Sequence, residues 1–219
     1  MDLKGKKIAF LGDSITEGHG VADLSDRYDN RLGRMCGLGR VSNHGIGGTR
    51  IAYQRCPSES PKWDLYFCGR AMRLEPDSDI IVVFGGTNDY GHGDAPFGEP
   101  GDRTPATFRG AVYWLMEALR TLYPDAVKVF LLPARRVGDT LPSREPGKPA
   151  GMPVLAEYNA VIRGTAEGFG YPVLDLYNEL GIDPNDGAQR KKYAPDGLHF
   201  NGEGHGVIAR KLKEFLEAL

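Results

Sequence analysis

Residues 7–18 read KIAFLGDSITEG, an apolar run followed by a polar turn that glycines bound on both sides. The apolar part predicts a buried strand, because short apolar runs that end in turn residues are typical of parallel sheets. Gly12 permits a tight turn and places Ser14 where the strand gives way to a helix. A hydroxyl at such a junction is exposed beside unpaired N–H groups, which suits a nucleophile, although a serine there can also simply cap a helix.

Further apolar runs recur along the chain and are also predicted to be strands: 39–43, 80–84, 127–132 and 172–176. Segments with helical spacing separate them. Because strands and helices alternate, the sequence predicts an α/β fold with a parallel sheet covered by helices on both faces.

Four segments carry apolar residues at helical spacing and are predicted to be helices: 24–35, 108–122, 154–169 and 201–219. In the first, Leu24, Tyr28, Leu32 and Met35 fall on one face. Thr104 and Pro105 are expected to begin the second, and Pro124 to end it. Asn201 is expected to cap the last helix.

Composition limits the classes of protein that this chain can belong to. Its 219 residues suit one domain over 1–219, and 41% hydrophobic with 26% charged residues is ordinary for a globular protein. A net charge of -2 provides no positive field for nucleic acid or an anionic membrane surface, so neither is expected as a partner. The sequence makes no prediction of oligomeric state.

The chain has an odd number of cysteines without the C-x-x-C spacing of metal sites: Cys36, Cys56 and Cys68. They suit reduced thiols, and the first apolar run is too short for a signal peptide, so a cytoplasmic location is expected. A chain from which a secretion signal had been trimmed would read the same.

Two long segments, 90–103 and 133–151, are rich in glycine, proline and charge and are predicted to be surface loops. Both follow predicted strands at the carboxyl edge of the sheet, where open parallel sheets bind ligands. We therefore expect them to shape a substrate pocket. The alternative is that they are flexible surface loops without a role in substrate binding.

A serine hydroxyl needs a base to become a nucleophile, and histidine is the natural base. Of His19, His44, His92, His199 and His205, only His199 lies in an Asp-Gly-Leu-His segment, where Asp196 precedes it by three positions. One short loop could then hold both the base and the carboxylate that orients it. Asp-Gly also occurs in plain turns, so this segment is suggestive only together with others.

Acyl transfer also requires donors for the charge that develops on the carbonyl oxygen. Two segments could supply them: 43–49, which reads NHGIGGT, and 85–89, which reads GGTND. The glycines of the first let backbone N–H groups approach a ligand, and the second offers the side-chain amide of Asn88. Each could be an ordinary turn, but together with Ser14 and His199 they form one constellation at one sheet edge.

The chain resembles the SGNH hydrolase superfamily, the GDSL-like lipases and esterases, in all four of its sequence blocks and in their order. Ser14 matches the GDS block, Gly48 the glycine block, Asn88 the G-x-N-D block, and His199 with Asp196 the D-x-x-H block. The resemblance implies a flavodoxin-like three-layer α/β/α sandwich with five parallel strands in the order 2-1-3-4-5.

The resemblance also implies a mechanism for a serine esterase. Ser14 attacks an ester carbonyl, His199 takes its proton, and Asp196 holds the imidazole. The N–H groups of Ser14 and Gly48 and the amide of Asn88 bind the oxyanion, with Gly47 as the alternative glycine donor. No metal and no organic cofactor is needed.

The predicted pocket loops mix aromatic and polar residues, which favours a short acyl group such as acetyl on a polar or carbohydrate alcohol. A small-molecule or carbohydrate ester is the partner expected from this. The residues proposed to contact it are Asp13, Arg50, Tyr90 and His92. The alternative is a lipase or thioesterase that acts on longer acyl chains, with the aromatic residues packed beneath the loops.

Metallophosphoesterases also gather aspartate, asparagine and histidine at strand ends. They require a histidine near the first aspartate and another beside the asparagine, but here Ser14 and Ile15 follow Asp13, and Thr87 precedes Asn88. The spacing therefore argues against this class.

The sequence also disfavours two other classes of protein. A dinucleotide-binding fold would place a complete G-x-G-x-x-G after the first strand, whereas the glycines at 45, 47 and 48 follow the second and are incomplete. A catalytically silent carbohydrate-binding module of the same fold is disfavoured by the intact set of four blocks.

Overall fold

The computed structural model describes all residues from 1 to 219. Its centre is one all-parallel sheet of five strands in the order β2-β1-β3-β4-β5. The strands are β1 (Lys7–Gly12), β2 (Arg40–Gly45), β3 (Ile80–Phe84), β4 (Val127–Leu131) and β5 (Val173–Leu174). The predicted α/β class and strand order are therefore confirmed.

Nine α-helices surround the sheet: α1 (Ser14–Glu17), α2 (Tyr28–Cys36), α3 (Phe67–Ala71), α4 (Thr87–Gly91), α5 (Phe108–Leu122), α6 (Leu155–Gly168), α7 (Leu176–Glu179), α8 (Gly187–Tyr193) and α9 (Gly202–Ala218). Two short 3₁₀ turns, Leu24–Asp26 and Pro61–Asp64, complete the regular structure. No helix has the combination of length and apolar character that crossing a membrane requires.

Strand residues alternate between two hydrophobic clusters, one on each face of the sheet. In β1, Ala9 and Leu11 join the cluster that contains α3, α5 and α6, while Ile8 and Phe10 join the cluster that contains α2 and α9. Both faces are therefore covered, which explains why the central strand β3, IIVVF, is apolar and buried at every position.

The predicted helix over 24–35 is divided in the structure. Leu24 lies in a 3₁₀ turn that Asp23 caps, and the extended backbone of Arg27 separates this turn from α2. Leu24 and Met35 are 56% and 43% exposed, so only Tyr28 and Leu32 of the predicted face are buried. The prediction of one continuous apolar face was wrong because a local cap interrupts the helix.

The N-terminal cap of α9 is the predicted residue, whereas that of α5 is not. Asn201 caps α9 as predicted, because its side chain accepts hydrogen bonds from the backbone N–H groups of Glu203 and Gly204. Thr107, not Thr104, caps α5, and its hydroxyl accepts from Gly110 N–H. Pro105 lies outside the helix, where its carbonyl accepts a hydrogen bond from Tyr53 N–H.

The fifth strand is shorter than predicted, with two residues in place of 172–176. Asp175 ends it, because its side chain accepts a hydrogen bond from Asn178 N–H and thereby caps α7.

The buried Arg70 of α3 ties the carboxyl ends of β1 and β2 together. Its guanidinium donates hydrogen bonds to the carbonyl oxygens of Gly12, His44 and Leu65 and to the hydroxyl of Thr49. Burial lowers the pKa of Arg70 to about 10, so the group remains charged at neutral pH. This one side chain therefore sets the relative position of two strand ends.

We predict that Arg70→Met lowers the free energy of unfolding by about 3 kcal/mol, because it leaves buried acceptors without a donor. Urea denaturation measures the change. The matched control is Arg73→Met, just beyond the same helix, where the side chain is exposed and should tolerate the change. Equal midpoints for the two variants would contradict this account of Arg70.

Candidate active site

Ser14 lies at the carboxyl end of β1, as the first residue of α1, and its hydroxyl is free of any capping role. Asp13 is the cap, because its side chain accepts a hydrogen bond of 3.0 Å from Ile15 N–H. The turn admits only glycine at position 12, since a Cβ there would lie 2.0 Å from the hydroxyl oxygen of Thr16. Close packing of β1 on α1 therefore presents the Ser14 side chain at the sheet edge.

His199 and Asp196 occupy the loop before α9, and the structure brings them to Ser14. The distance from Ser14 Oγ to His199 Nε2 is 2.9 Å, and that from His199 Nδ1 to Asp196 Oδ2 is 2.7 Å. Asp196 Oδ1 also accepts hydrogen bonds from the backbone N–H groups of Leu198 and His199. The loop therefore holds its own carboxylate in place.

The protonation of this pair follows from its contacts. A carboxylate can only accept, so His199 Nδ1 carries the proton and Nε2 is free to accept from the Ser14 hydroxyl. Burial lowers the pKa of His199 even though Asp196 opposes the effect, so the ring is neutral at pH 7. Burial acts to raise the pKa of Asp196, but hydrogen bonds from Leu198 and His199 outweigh it and lower that pKa.

The glycine segment after β2 offers one free backbone donor. Gly47 N–H donates to Glu17 Oε2 at 2.9 Å, whereas Gly48 N–H has no acceptor within the protein. Gly48 adopts φ +76°, and a Cβ there would lie 2.2 Å from the indole ring of Trp63. Of the two glycines considered from the sequence, only Gly48 thus has an N–H group available to a ligand.

Asn88, in the first turn of α4, is 4% exposed and has a fixed amide. Its Nδ2 donates to Thr49 O at 2.9 Å, which leaves the second amide hydrogen unused. The neighbouring Asp89 carboxylate accepts from the N–H groups of Ile51 and Ala52. Both members of the Asn-Asp pair therefore secure the segment that follows Gly48.

Three of the predicted substrate contacts are buried in the protein. Asp13 is 2% exposed and caps α1, and burial raises its pKa to about 7. Arg50 is 1% exposed and binds Ser58 and Asp64. The hydroxyl of Tyr90 lies 2.9 Å from the carbonyl oxygens of Gly138 and Leu141. In this structure Asp13 caps a helix, Arg50 and Tyr90 hold loops, and none of the three side chains is open to a substrate.

His92 is the predicted substrate contact that remains partly exposed. Arg50 can only donate, so His92 Nδ1 accepts from it at 3.1 Å and the proton lies on Nε2, which has no partner within the protein. Burial, helped by the charge of Arg50, lowers the pKa of His92 to about 4. His92 is therefore a neutral donor whose ring centroid lies 5.3 Å from that of Trp63.

The loop over 133–151 reaches this same edge. Arg136 donates to Thr87 O at 3.3 Å and forms an ion pair with Glu145 at 2.6 Å. Val137 N–H donates to Gly197 O, next to the Asp196 and His199 pair. Arg136 was missed from the sequence because its contacts are with residues distant in the chain.

The loop over 90–103 is anchored by Asp94, which accepts hydrogen bonds from the N–H groups of residues 55 and 56.

His19 also lies at the site, although the sequence pattern favoured His199 alone. Its ring centroid is 4.2 Å from that of His199. The signal that could have found it is its place between Gly18 and Gly20, directly after the turn that carries Ser14.

The parallel α/β sheet and the serine, histidine and aspartate at its carboxyl edge define the class of serine ester hydrolases. The model of the GDSL-like lipase/acylhydrolase family matches residues 10–207. The chain belongs to this family and is a serine ester hydrolase.

Solved structures share the fold of the chain. The chain is similar to a protein from Lactobacillus plantarum, with 34% identity over 98% of both chains and a TM-score of 0.83. It shares its fold with a member of the lipolytic G-D-S-L family from Veillonella parvula, with 18% identity, coverage of 98% of this chain and 100% of that one, and a TM-score of 0.62. A candidate GDSL-like lipase from Bacteroides ovatus has 19% identity, coverage of 98% and 99%, and a TM-score of 0.69. No curated protein matches the chain.

Proposed function

We propose that residues 1–219 form one catalytic domain that hydrolyses carboxylic esters through an acyl-enzyme on Ser14, with His199 as base and Asp196 as its orienting group. The observation that carries this proposal is the continuous chain of two short contacts, Ser14 Oγ to His199 Nε2 at 2.9 Å and His199 Nδ1 to Asp196 Oδ2 at 2.7 Å. This is the geometry that converts a hydroxyl into a nucleophile.

The reaction proceeds in two halves. Ser14 Oγ attacks the ester carbonyl while its proton passes to His199 Nε2, and the tetrahedral intermediate collapses as His199 returns the proton to the leaving alcohol. A water molecule then gives its proton to His199 and attacks the acyl-enzyme. Collapse of the second intermediate returns the proton to Ser14 Oγ and releases the acid. Neither half needs a metal or a cofactor.

Three donors are proposed to bind the oxyanion in both halves: Ser14 N–H, Gly48 N–H and the second amide hydrogen of Asn88. The first two have no acceptor within the protein, and the third is the hydrogen left over from the bond to Thr49. Donors held before the reaction cost no reorganisation when charge develops, and one such donor contributes about 3 kcal/mol to the transition state.

The substrate is proposed to carry a short acyl group, such as acetyl, on a polar or carbohydrate alcohol. Trp63 supports the short acyl group, because its indole lies directly against Gly48 and limits the space beside the oxyanion donors. His92, Arg136 and Glu145 support a hydroxyl-rich alcohol, because they bring hydrogen-bonding groups to the same edge. Esters of longer acyl chains remain the alternative.

The expected surroundings of the enzyme follow from its charge and cysteines. We propose a small-molecule or carbohydrate ester as its partner, without nucleic acid or a membrane, because the formal net charge is -2. Free Cys36, Cys56 and Cys68 support a cytoplasmic location.

The proposed function predicts that a fluorophosphonate probe labels the protein covalently and that Ser14→Ala abolishes the labelling. The serine adduct is detected by mass spectrometry of the intact protein. A folded wild-type protein that takes no label would instead indicate a silent carbohydrate-binding module. Labelling that survives in Ser14→Ala would place the nucleophile elsewhere.

We expect Asn88→Ala to lower kcat about a hundredfold through loss of one oxyanion donor. The matched control is Asn159→Ala, because Asn159 is also 4% exposed and its amide also donates to one backbone carbonyl, that of Pro133. Both variants should lose some stability in urea, but only the first should lose kcat. Equal kcat values in the two variants would remove Asn88 from the oxyanion site.

The short-acyl proposal predicts that wild-type kcat/KM for p-nitrophenyl esters is highest for acetate and falls steadily towards palmitate. Trp63→Ala should raise the ratio of hexanoate to acetate kcat/KM about tenfold, because removing the indole opens space for methylene groups. Tyr53→Ala is the control, since Tyr53 is exposed and packs on Tyr66. A wild-type preference for long chains would defeat the short-acyl proposal.

A further inference from the structure

A second histidine lies against the proposed base without a role in the mechanism above. The His19 and His199 ring centroids are 4.2 Å apart at an interplanar angle of 60°. His19 is exposed, and its ring makes no hydrogen bond within the protein. Ligand atoms of His19, Asp196 and His199 all lie within 4.8 Å of one another.

The backbone brings His19 to this place by a close approach. Gly18 and Gly20 on either side have φ of +101° and +95°, and His19 N–H donates to Ser14 O at 2.8 Å. A Cβ at Gly20 would lie 2.6 Å from the carbonyl oxygen of Phe200, so only glycine allows this segment to pack on the His199 loop. The arrangement of the two histidines is therefore built into the fold.

Two imidazoles and one carboxylate are a ligand set that suits Zn²⁺ and related divalent transition metals. Bonds of about 2 Å around a tetrahedral ion place ligand atoms roughly 3.3 Å apart. The His199 and Asp196 atoms are already closer than that, and the exposed His19 ring can rotate towards them. A water molecule can complete the coordination.

We propose that His19, Asp196 and His199 form an inhibitory site for a divalent transition metal such as Zn²⁺. The inference rests on the proposed function, because the ion would inhibit by occupying the base and its orienting carboxylate. In this role the metal is a reversible ligand and not a cofactor of hydrolysis.

The ion that His199 shares with Asp196 lies on Nδ1, because Nδ1 is the ring nitrogen that faces Asp196 Oδ2, at 2.7 Å. The ion replaces the proton that Nδ1 donates to Asp196, and the neutral ring then carries its one proton on Nε2, where that atom can no longer accept from Ser14. Ser14 thereby loses its base, and a chelator restores it by removing the ion.

The first test measures hydrolysis of p-nitrophenyl acetate against buffered free Zn²⁺, with Mg²⁺ as the control for a hard cation. We expect micromolar Zn²⁺ to inhibit the wild type, EDTA to reverse the inhibition, and Mg²⁺ to have no effect. His19→Ala should keep the basal activity. Its half-maximal inhibition should require a free Zn²⁺ concentration at least about tenfold higher, because one of three protein ligands is gone.

His44→Ala is the matched control, because His44 also pairs with a carboxylate, that of Glu75, but lies on β2 away from His199. This variant should be inhibited like the wild type. Inhibition that is unchanged in His19→Ala would overturn the proposed metal site.

A second measurement does not depend on ester hydrolysis. Co²⁺ is titrated into the Ser14→Ala protein and followed by its visible absorption, with and without the additional His19→Ala substitution. We expect a bound-Co²⁺ spectrum that His19→Ala abolishes or weakens at least about tenfold. Equal Co²⁺ binding in both proteins overturns the metal site, whereas loss of esterase activity or labelling alone overturns only the proposed function.

Discussion

The hydrogen bonds of the buried Arg70 guanidinium hold together the edge on which the site is built. Gly12 O and His44 O belong to two neighbouring strands, and Thr49 Oγ1 belongs to the segment beyond them. Because Ser14 follows Gly12 by two residues and Gly48 precedes Thr49, one charged group controls the separation of the nucleophile from a proposed oxyanion donor. A displacement of either strand would break a bond to a buried cation, which costs several kcal/mol.

Hydrogen bonds between the sequence blocks position the remaining oxyanion donors. Glu17, in the turn of Ser14, occupies Gly47 N–H, and Asn88 uses one amide hydrogen on Thr49 O. Asp89 accepts from the two backbone N–H groups that follow Arg50. These hydrogen bonds between the blocks therefore leave two donors without an acceptor in the protein, Gly48 N–H and the second amide hydrogen of Asn88. Such an arrangement is ordered before any substrate arrives, which is the condition for effective electrostatic stabilisation.

Local apolar runs predicted the parallel sheet, and loops that share one edge predicted that Ser14, Asn88 and His199 lie together. The strand order and the pairing of His199 with Asp196 as base and orienting group followed from the resemblance to the SGNH hydrolases. The sequence did not predict the burial of Arg50 and Tyr90, since both are covered by partners far along the chain, such as Asp64 and Gly138. Arg70 gave no signal at all, because three of its acceptors are backbone carbonyls that any sequence provides. The caps of α5 and α7 depended in the same way on which of several polar residues the chain geometry selected.

Hydrogen bonds hold the loop over 133–151 against neighbouring segments, so the loop is not built as a lid. Tyr90 holds it through Gly138 and Leu141, Lys148 contacts the carbonyl oxygens of Asp89 and Gly93, and Val137 N–H is bound to Gly197 O. Enzymes that must swing such a segment aside at an oil–water boundary show interfacial activation. Because this segment is held in place, the rate of hydrolysis should follow the concentration of dissolved monomeric ester. The rate should not rise sharply at the concentration where the ester begins to form micelles.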